Sequence, residues 1–518
     1  MDPESRRRGR LTVTARARVA RGLTCAALAL AAVRLLGVWP IGSAVAAPRA
    51  RASQSTLPAR LTLESGTQSI PRSFFGLSVE YNELAEYEKD GPAFGRVLAL
   101  IRAQDGSRLE LRIGGKSADR TFFVTKPTRP VDYGRPIGEH WLKKLSALVR
   151  ADRLRVMLDL NLAVHAPSVA ATFAQAAVKT LPPTTLAGLE IGNEPDLYWR
   201  QPFLAKERLP QTLRSTPKNW TVNYSSADYR RDYSAYARAL VAKVPRIPIG
   251  GPEIISAKPQ WLSAVEGLGR EDPSFLSVHR YAGSDCWPRS SPFYPTIALL
   301  LDETSSIGFG ETIAEAAGFA HSDRQALRLT EVNSISCGGN PGVANSFATA
   351  LWAPDALFEL IRNGANSINW HIRPKAVNAP FHPTSAGIQA MPELYGLAVF
   401  ADMTGSGAKI LNSTLENSGA LHLKAWVVRA GSSLRVLLIN KGASDARVAM
   451  QLGPAGTAHI KRLQAPRVGA SSGVTFGGQT IATDGRWQGK PAQTEVTGNG
   501  GTYDVTVPGY SAALVSAR

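Results

Sequence analysis

Cysteine is almost missing. The 518 residues contain three. One of them, Cys25, lies in a leader-like N-terminal stretch, so Cys286 and Cys337 are the two left in the body of the chain. Two thiols with no His-rich cluster nearby cannot complete a tetrahedral shell, which excludes a structural zinc site. A convincing Gly-rich phosphate loop is missing too. GFGETIAEAAGFA comes nearest, but it follows no clear strand, which argues against a nucleotide-binding open sheet. Long basic runs are also lacking. The formal net charge of +18 would suit a nucleic-acid partner, but ten arginines and two acids sit in the first 51 residues. Without them the excess falls by eight, to +10. That remainder is dispersed, which implies a surface weakly attractive to anionic polymers and no nucleic-acid binding. No repeat of fixed period and no low-complexity linker separates the parts.

What is present begins with processing. RRRGRLTVTARARVARG is basic, LTCAALALAAVRLLGVWPIG is largely apolar, and Ala44-Val45-Ala46 offers small residues before Ala47-Pro48. The segment 1–46 resembles a bacterial secretory signal peptide, implying a secreted or periplasmic protein with no stable membrane insertion after its removal. Arg34 interrupts the apolar run; a membrane anchor is the alternative. In an oxidising compartment Cys286 and Cys337 pair as a disulfide, two free buried thiols being the other reading.

From about 72 to 372, short apolar runs alternate with longer amphipathic segments. The runs are FFGLSVEY (74–81), LELRIGG (109–115), RVMLDLNL (155–162), LAGLEIGN (186–193), IPIGGP (247–252), FLSVHRY (275–281), ALRLTEVN (326–333) and SINWHI (367–372). Helix-like stretches such as EHWLKKLSALVRA and ADYRRDYSAYARALVAKV lie between them. Eight strand-then-helix units predict an α/β fold, a (β/α)8 TIM barrel, over 71–404. After 405 the runs shorten and are separated by Gly, Ser and Asn, which predicts a C-terminal antiparallel β-sandwich domain over 405–518. ARLTLES, within the N-terminal segment 47–70, is placed to add a strand to that sandwich.

Chemistry in such a barrel sits at the C-terminal ends of the strands. Glu194 ends the fourth run and Glu331 the seventh. Two carboxylates across one mouth suit retaining glycoside hydrolysis, in which an ionised group attacks the anomeric carbon and a protonated one feeds the leaving oxygen. Asn193 is placed to bond the sugar 2-hydroxyl, which makes Glu194 the acid/base and Glu331 the nucleophile. Tyr281, ending the sixth run, is near enough in strand order to donate to Glu331 and keep it ionised. Trp199, Trp287 and Trp370 lie near strand ends, where a flat ring can stack on a sugar face or simply pack. No metal or organic cofactor is needed.

At these residues the chain resembles glycoside hydrolase family 79, the β-glucuronidases and heparanases. The likeness runs from FFGLSVEYNELA through LRIGGKSAD, IGNEPD, HRY and TEVNSISCGG to PELYGLAVF, with a C-terminal part similar to the family's β-glucuronidase C-terminal domain. It implies a barrel plus sandwich, with Glu194 as acid/base and Glu331 as nucleophile. It also implies that Glu80, Asn193 and Tyr281 line the −1 subsite, and that Gly338 and Gly339 supply backbone amides to the substrate carboxylate. Ser336 and Trp370 stand where heparanase-like members carry tyrosines, which leaves the sugar open between glucuronate and a neutral one. Lys116, after the second strand, is a candidate compensating cation. The substrate implied is a β-linked, uronic-acid-containing glycoside or oligosaccharide. An endo-acting heparanase-like hydrolase is the nearest alternative, and Lys206, Arg208, Arg214 and Lys218 of the 198–220 insertion would meet an anionic polymer. A carbohydrate-binding protein on a hydrolase scaffold is the non-enzyme alternative; the retained pair of glutamates argues against it.

Overall fold

The computed structural model describes residues 58–126, 134–200, 223–418, 422–453 and 456–517. The expected signal peptide and the four basic residues of the insertion lie outside them. Strand β1 (Ala59–Ser69) belongs to the C-terminal sheet. Eight parallel strands then close into a barrel. They are β2 (Phe75–Glu80), β3 (Glu110–Gly114), β4 (Arg155–Leu160), β5 (Leu186–Ile191), β6 (Ile249–Ile254), β7 (Phe275–Ser284), β8 (Ala326–Ser336) and β9 (Ser367–Ile372). Each falls on one of the eight apolar runs. Their order around the ring is their order in the chain, with β9 closing against β2.

The runs read as near-continuous because a parallel strand under helices is buried on both faces. The helices follow the 3.6-residue period. In α1 (Glu139–Asp152), Leu142, Leu145, Leu148 and Val149 are buried while the charged residues face outward. Helix α2 (Phe347–Arg362) is buried nearly all round, because the barrel lies on one side of it and the C-terminal sheet on the other. Trp426 of that sheet stacks on Phe358, with ring centroids 4.9 Å apart. Its indole donates to Asp355, and Lys441 closes a buried ion pair on the same carboxylate at 2.6 Å.

The sheet itself runs β14 (Thr457–Gln464), β16 (Ser511–Ala517), β12 (Ser433–Asn440), β11 (Leu423–Ala430), β10 (Lys409–Glu416), β1, β13 (Ala446–Gln451), β15 (Thr502–Val507). Its pairs are antiparallel except β1 with β13, which is parallel. The sheet curls so that Leu61, Val436, Leu438, Val448, Val505 and Val515 share a second core. The opposite face of β11 and β12 joins the barrel's core through Trp426, Val428, Leu437 and Ile439. The architecture is the expected barrel with a β-sandwich domain. Among the described residues, no helix is long and apolar enough to cross a membrane.

Candidate active site

The site begins where β5 stops. Gly192 has φ +80°, and a Cβ there would lie 2.6 Å from Leu162, so only glycine lets the chain turn this close to its neighbour. Tyr229 donates its hydroxyl to the Ile191 carbonyl at 2.9 Å and fixes the strand end. Glu194 follows with φ +47°. Its amide donates to the Glu253 carbonyl at 3.1 Å, and Pro195 opens a 3-10 turn. The side chain is thereby held at the rim and is nearly buried.

Glu331 stands on β8, facing it. A carboxylate oxygen of each glutamate and one ring nitrogen of His279 all lie within 4.8 Å of one another. His279, on β7, sits 3.1 Å from Glu194 and 3.8 Å from Glu331. Three such ligand-type atoms are close enough to hold a metal ion, but Arg112 already supplies a cation to Glu331 at 2.9 Å. Tyr281 donates its hydroxyl to the other Glu331 oxygen at 2.8 Å, and His371 lies 3.5 Å from the first. Burial pushes the Glu331 carboxyl up. The charges of His371, His279 and Arg112, together with the Tyr281 hydrogen bond, outweigh it and hold the group far below the usual carboxylate range. These contacts favour the ionised form of Glu331.

Arg112 is the hub beneath the mouth and is fully buried. Its Nε donates to Glu190 at 3.0 Å, and Nη1 to Ser78 and Glu331. Nη2 donates to Asp159, Asn193 and Glu253. Because Arg112 takes the Asn193 amide oxygen, the Asn193 NH2 is turned the other way, free to act as a donor. Burial raises the carboxyls of Asp159 and Glu253 well above the usual range, and Arg112 only partly offsets it. A hydrogen bond from Glu253 helps hold Glu190 low against its own burial.

The structure brings Glu194, Glu331, Asn193, Tyr281 and Glu80 to one mouth. Glu80 ends β2, accepts from the Ser117 amide at 2.7 Å, and has its carboxyl raised by burial. Gly338 and Gly339 follow β8, both with left-handed φ. Gly339 is required, since a Cβ would sit 2.7 Å from the Asn378 backbone nitrogen. Trp370 is not at the site. It points outward from the barrel, packs on Phe75 and Trp352, and donates its indole N–H to Glu393 at 3.1 Å. Strand alternation gives the inward position to His371 instead. Lys116 lies exposed on the turn after β3, with no ion pair among the described residues. Trp199 and Trp287 are exposed on loops after β5 and β7.

Arg112, His279, His371 and the Asp159–Glu190–Glu253 group carried no assignment from sequence. The available signal was an ionisable residue at alternate positions inside otherwise apolar runs, as Glu110 and Arg112 are in LELRIGG and Asp159 is in RVMLDLNL.

Cys286 and Cys337 form the expected disulfide, which ties the loop after β7 to the end of β8. The bridge closes a 51-residue separation, and the loss of chain entropy it imposes on the unfolded state amounts to about 4 kcal/mol. Cys286→Ser/Cys337→Ser should therefore lower the unfolding free energy by about that amount in urea melts. It should also raise KM, because Gly338 and Gly339 follow the bridge directly. An unchanged urea midpoint would contradict this.

Residues 425–514 match the model of the glycosyl hydrolase family 79 C-terminal beta domain. A β-glucuronidase of Aspergillus niger is 24% identical over 394 residues, covering 66% of this chain and 68% of that protein. Among solved structures, a 4-O-α-L-rhamnosyl-β-D-glucuronidase from Fusarium oxysporum superposes with a TM-score of 0.72. It is 17% identical and covers 88% of this chain and 100% of its own. A GH51 arabinofuranosidase from Xanthomonas axonopodis pv. citri gives 0.63 at 16% identity, covering 89% and 100%. The two structures speak for the fold. With the domain match and the curated relative, they bear out the resemblance read from the sequence and the reading of the chain as a glycoside hydrolase.

Proposed function

We propose that this chain, a relative of glycoside hydrolase family 79 whose C-terminal domain it carries, is an exported retaining β-glucuronidase. The observation that carries the reading is the approach of Glu194 and Glu331. Their facing atoms fall within 4.8 Å, which matches the roughly 5 Å of double displacement and leaves no room for the water of an inverting enzyme. Glu331 attacks the anomeric carbon while Glu194 protonates the leaving oxygen. Glu194 then takes a proton from water, which releases the sugar with its configuration kept. Arg112, Tyr281 and the two histidines hold the attacking carboxylate ionised and aimed. Asn193 offers its NH2 to the 2-hydroxyl, a contact that strengthens as charge develops at C1. The sugar is read as glucuronate from the kinship with the Aspergillus and Fusarium enzymes.

The test is an aryl β-glycoside panel that includes glucuronide, glucoside and galactoside, with proton NMR of the first-formed product. The expected result is selective glucuronide cleavage yielding the β-anomer first. First release of the α-anomer would overturn the mechanism; preference for a neutral glycoside would overturn the sugar assignment.

A further inference from the structure

The site as described holds three carboxylates, Glu80, Glu194 and Glu331, at its mouth. A uronate brings a fourth carboxyl group to it, and Arg112 is buried and fully engaged beneath them. A cation with a donor to spare is needed above the sugar plane. From the geometry we infer that Arg373 is the residue that reads the uronate carboxylate, a specificity determinant resting on the glucuronidase reading above.

Three observations place it. The first is alternation along β9 and just beyond it. Asn369, His371 and Arg373 share the inward face. Asn369 reaches Glu110 low in the barrel at 3.4 Å, and His371 reaches Glu331 at 3.5 Å, so Arg373 comes next, at the rim. The register agrees. His371 pairs with Ser78 and Ile372 with Val79, which brings Arg373 level with Glu80 of the −1 subsite.

The second is the ring order. Asn193 follows β5, and β9 is four strands from β5 in a closed ring of eight, that is, diametrically opposite. In a pyranose, C2 and C5 are also opposite. With O2 gripped at Asn193, the C5 carboxylate is directed toward the end of β9.

The third is aim. Glu83 accepts from Arg373 Nε at 3.3 Å and from Nη2 at 3.2 Å. Among the described residues, Nη1 has no hydrogen-bond partner. The guanidinium is about half exposed; it is oriented by one carboxylate and has a donor to spare for another. Besides Glu83, Glu80 and Tyr281, both of the subsite, are near enough to help hold its charge. The segment carrying it is braced against the nucleophile strand. Asn333 donates to the carbonyls of His371 and Asn378, Asn378 donates to the Ile335 carbonyl, and the Val377 amide donates to the Gly338 carbonyl at 2.7 Å. Arg373 and the Gly338–Gly339 turn thus form one corner. Lys116, after β3, stands a quarter-turn or more from that corner.

The experiment compares 4-nitrophenyl β-D-glucuronide with its glucuronamide, a neutral isostere, on wild type, Arg373→Gln and Lys116→Gln. Arg373→Gln should cut kcat/KM for the glucuronide about 30- to 100-fold, the worth of one charge-assisted hydrogen bond. It should leave the glucuronamide within about 3-fold. Lys116→Gln should leave the ratio of the two unchanged. Equal loss on both substrates, or no loss on the glucuronide, overturns the proposal, as does a fall in the ratio for Lys116→Gln alone. Calorimetric titration with free glucuronate and glucose separates this from the parent reading. If wild type turns over no glucuronide, the activity assignment fails, while loss of glucuronate binding in Arg373→Gln still supports the anchor and its retention refutes it.

Discussion

Glu331→Gln should lower kcat on an aryl β-glucuronide by about 10,000-fold or more and leave the fold intact. The rate falls because an amide cannot form the glycosyl bond, and nothing else at the mouth is an ionised carboxylate aimed at C1. The fold survives because the amide oxygen still accepts from Arg112, whose other partners Glu190, Glu253 and Asp159 remain in place. The Tyr281 hydroxyl can rotate to accept where it now donates. Glu194→Ala should behave differently. A dinitrophenyl leaving group needs no proton, so the first step continues and the second stalls, giving a burst followed by slow turnover. Azide separates the roles by stereochemistry. It should rescue Glu194→Ala as a β-glycosyl azide, because it attacks the covalent intermediate. It should rescue Glu331→Gly as an α-glycosyl azide, because it replaces the missing nucleophile. The same anomer from both variants would reverse or abolish the assignment. Wild-type turnover surviving either substitution would defeat the roles given to the pair, and absence of turnover in the wild type would leave the binding-protein alternative standing.

The parts of this site that could be read from the sequence share one property: they stand at or near the C-terminal end of an apolar run. In a parallel barrel the strands are apolar on both faces, so their runs stand out. The residues around the end of a run are then marked for the mouth, as Glu194, Tyr281 and Glu331 are, although the strands themselves continue to Ser284 in β7 and Ser336 in β8. Residues inside a run carry no such mark. Arg112 sits within LELRIGG and meets Glu331 across 219 residues of chain, a separation over which local pattern says nothing. Trp370 and His371 show a different limit. The run SINWHI was legible, but which of two neighbours faces inward depends on a phase of one residue, and a shift by one exchanges the faces. The aromatic went to the core and the imidazole to the nucleophile. The parallel pairing of β1 with β13 was equally hidden, because the partners lie nearly four hundred residues apart and pairing across such a distance is set by the closed sheet.

Arg112→Met should be the most damaging substitution outside the catalytic pair. One guanidinium makes six hydrogen bonds with five N–H donors, and four of the acceptors are carboxylates. Removing one partner of a buried pair leaves the other uncompensated, at a cost of about 3–5 kcal/mol. Here several are abandoned together, so the lower bound is the expectation for any protein that folds. The acids answer by taking up protons. Burial already holds Asp159 and Glu253 above their ordinary range with Arg112 present, and its loss drives them higher. A carboxyl whose pKa is raised on folding binds its proton more tightly folded than unfolded. Its stabilising contribution is present at low pH and is lost as pH rises from the unfolded value through the folded one. Arg112→Met should therefore melt at a higher temperature at pH 5 than at pH 8, with a steeper fall over that interval than wild type. Arg112→Lys keeps the charge but not the planar fork, and three donors cannot serve six acceptors. It should fold, hold much of its stability at pH 7, and still lose about 100-fold in kcat, because Glu331 and Asn193 are no longer aimed from one rigid plane. Differential scanning calorimetry across pH, paired with kcat, distinguishes the two effects. A melting temperature for Arg112→Met that matches wild type at pH 8 would show that the buried acids find compensation elsewhere, and the hub assigned to Arg112 would have to be abandoned.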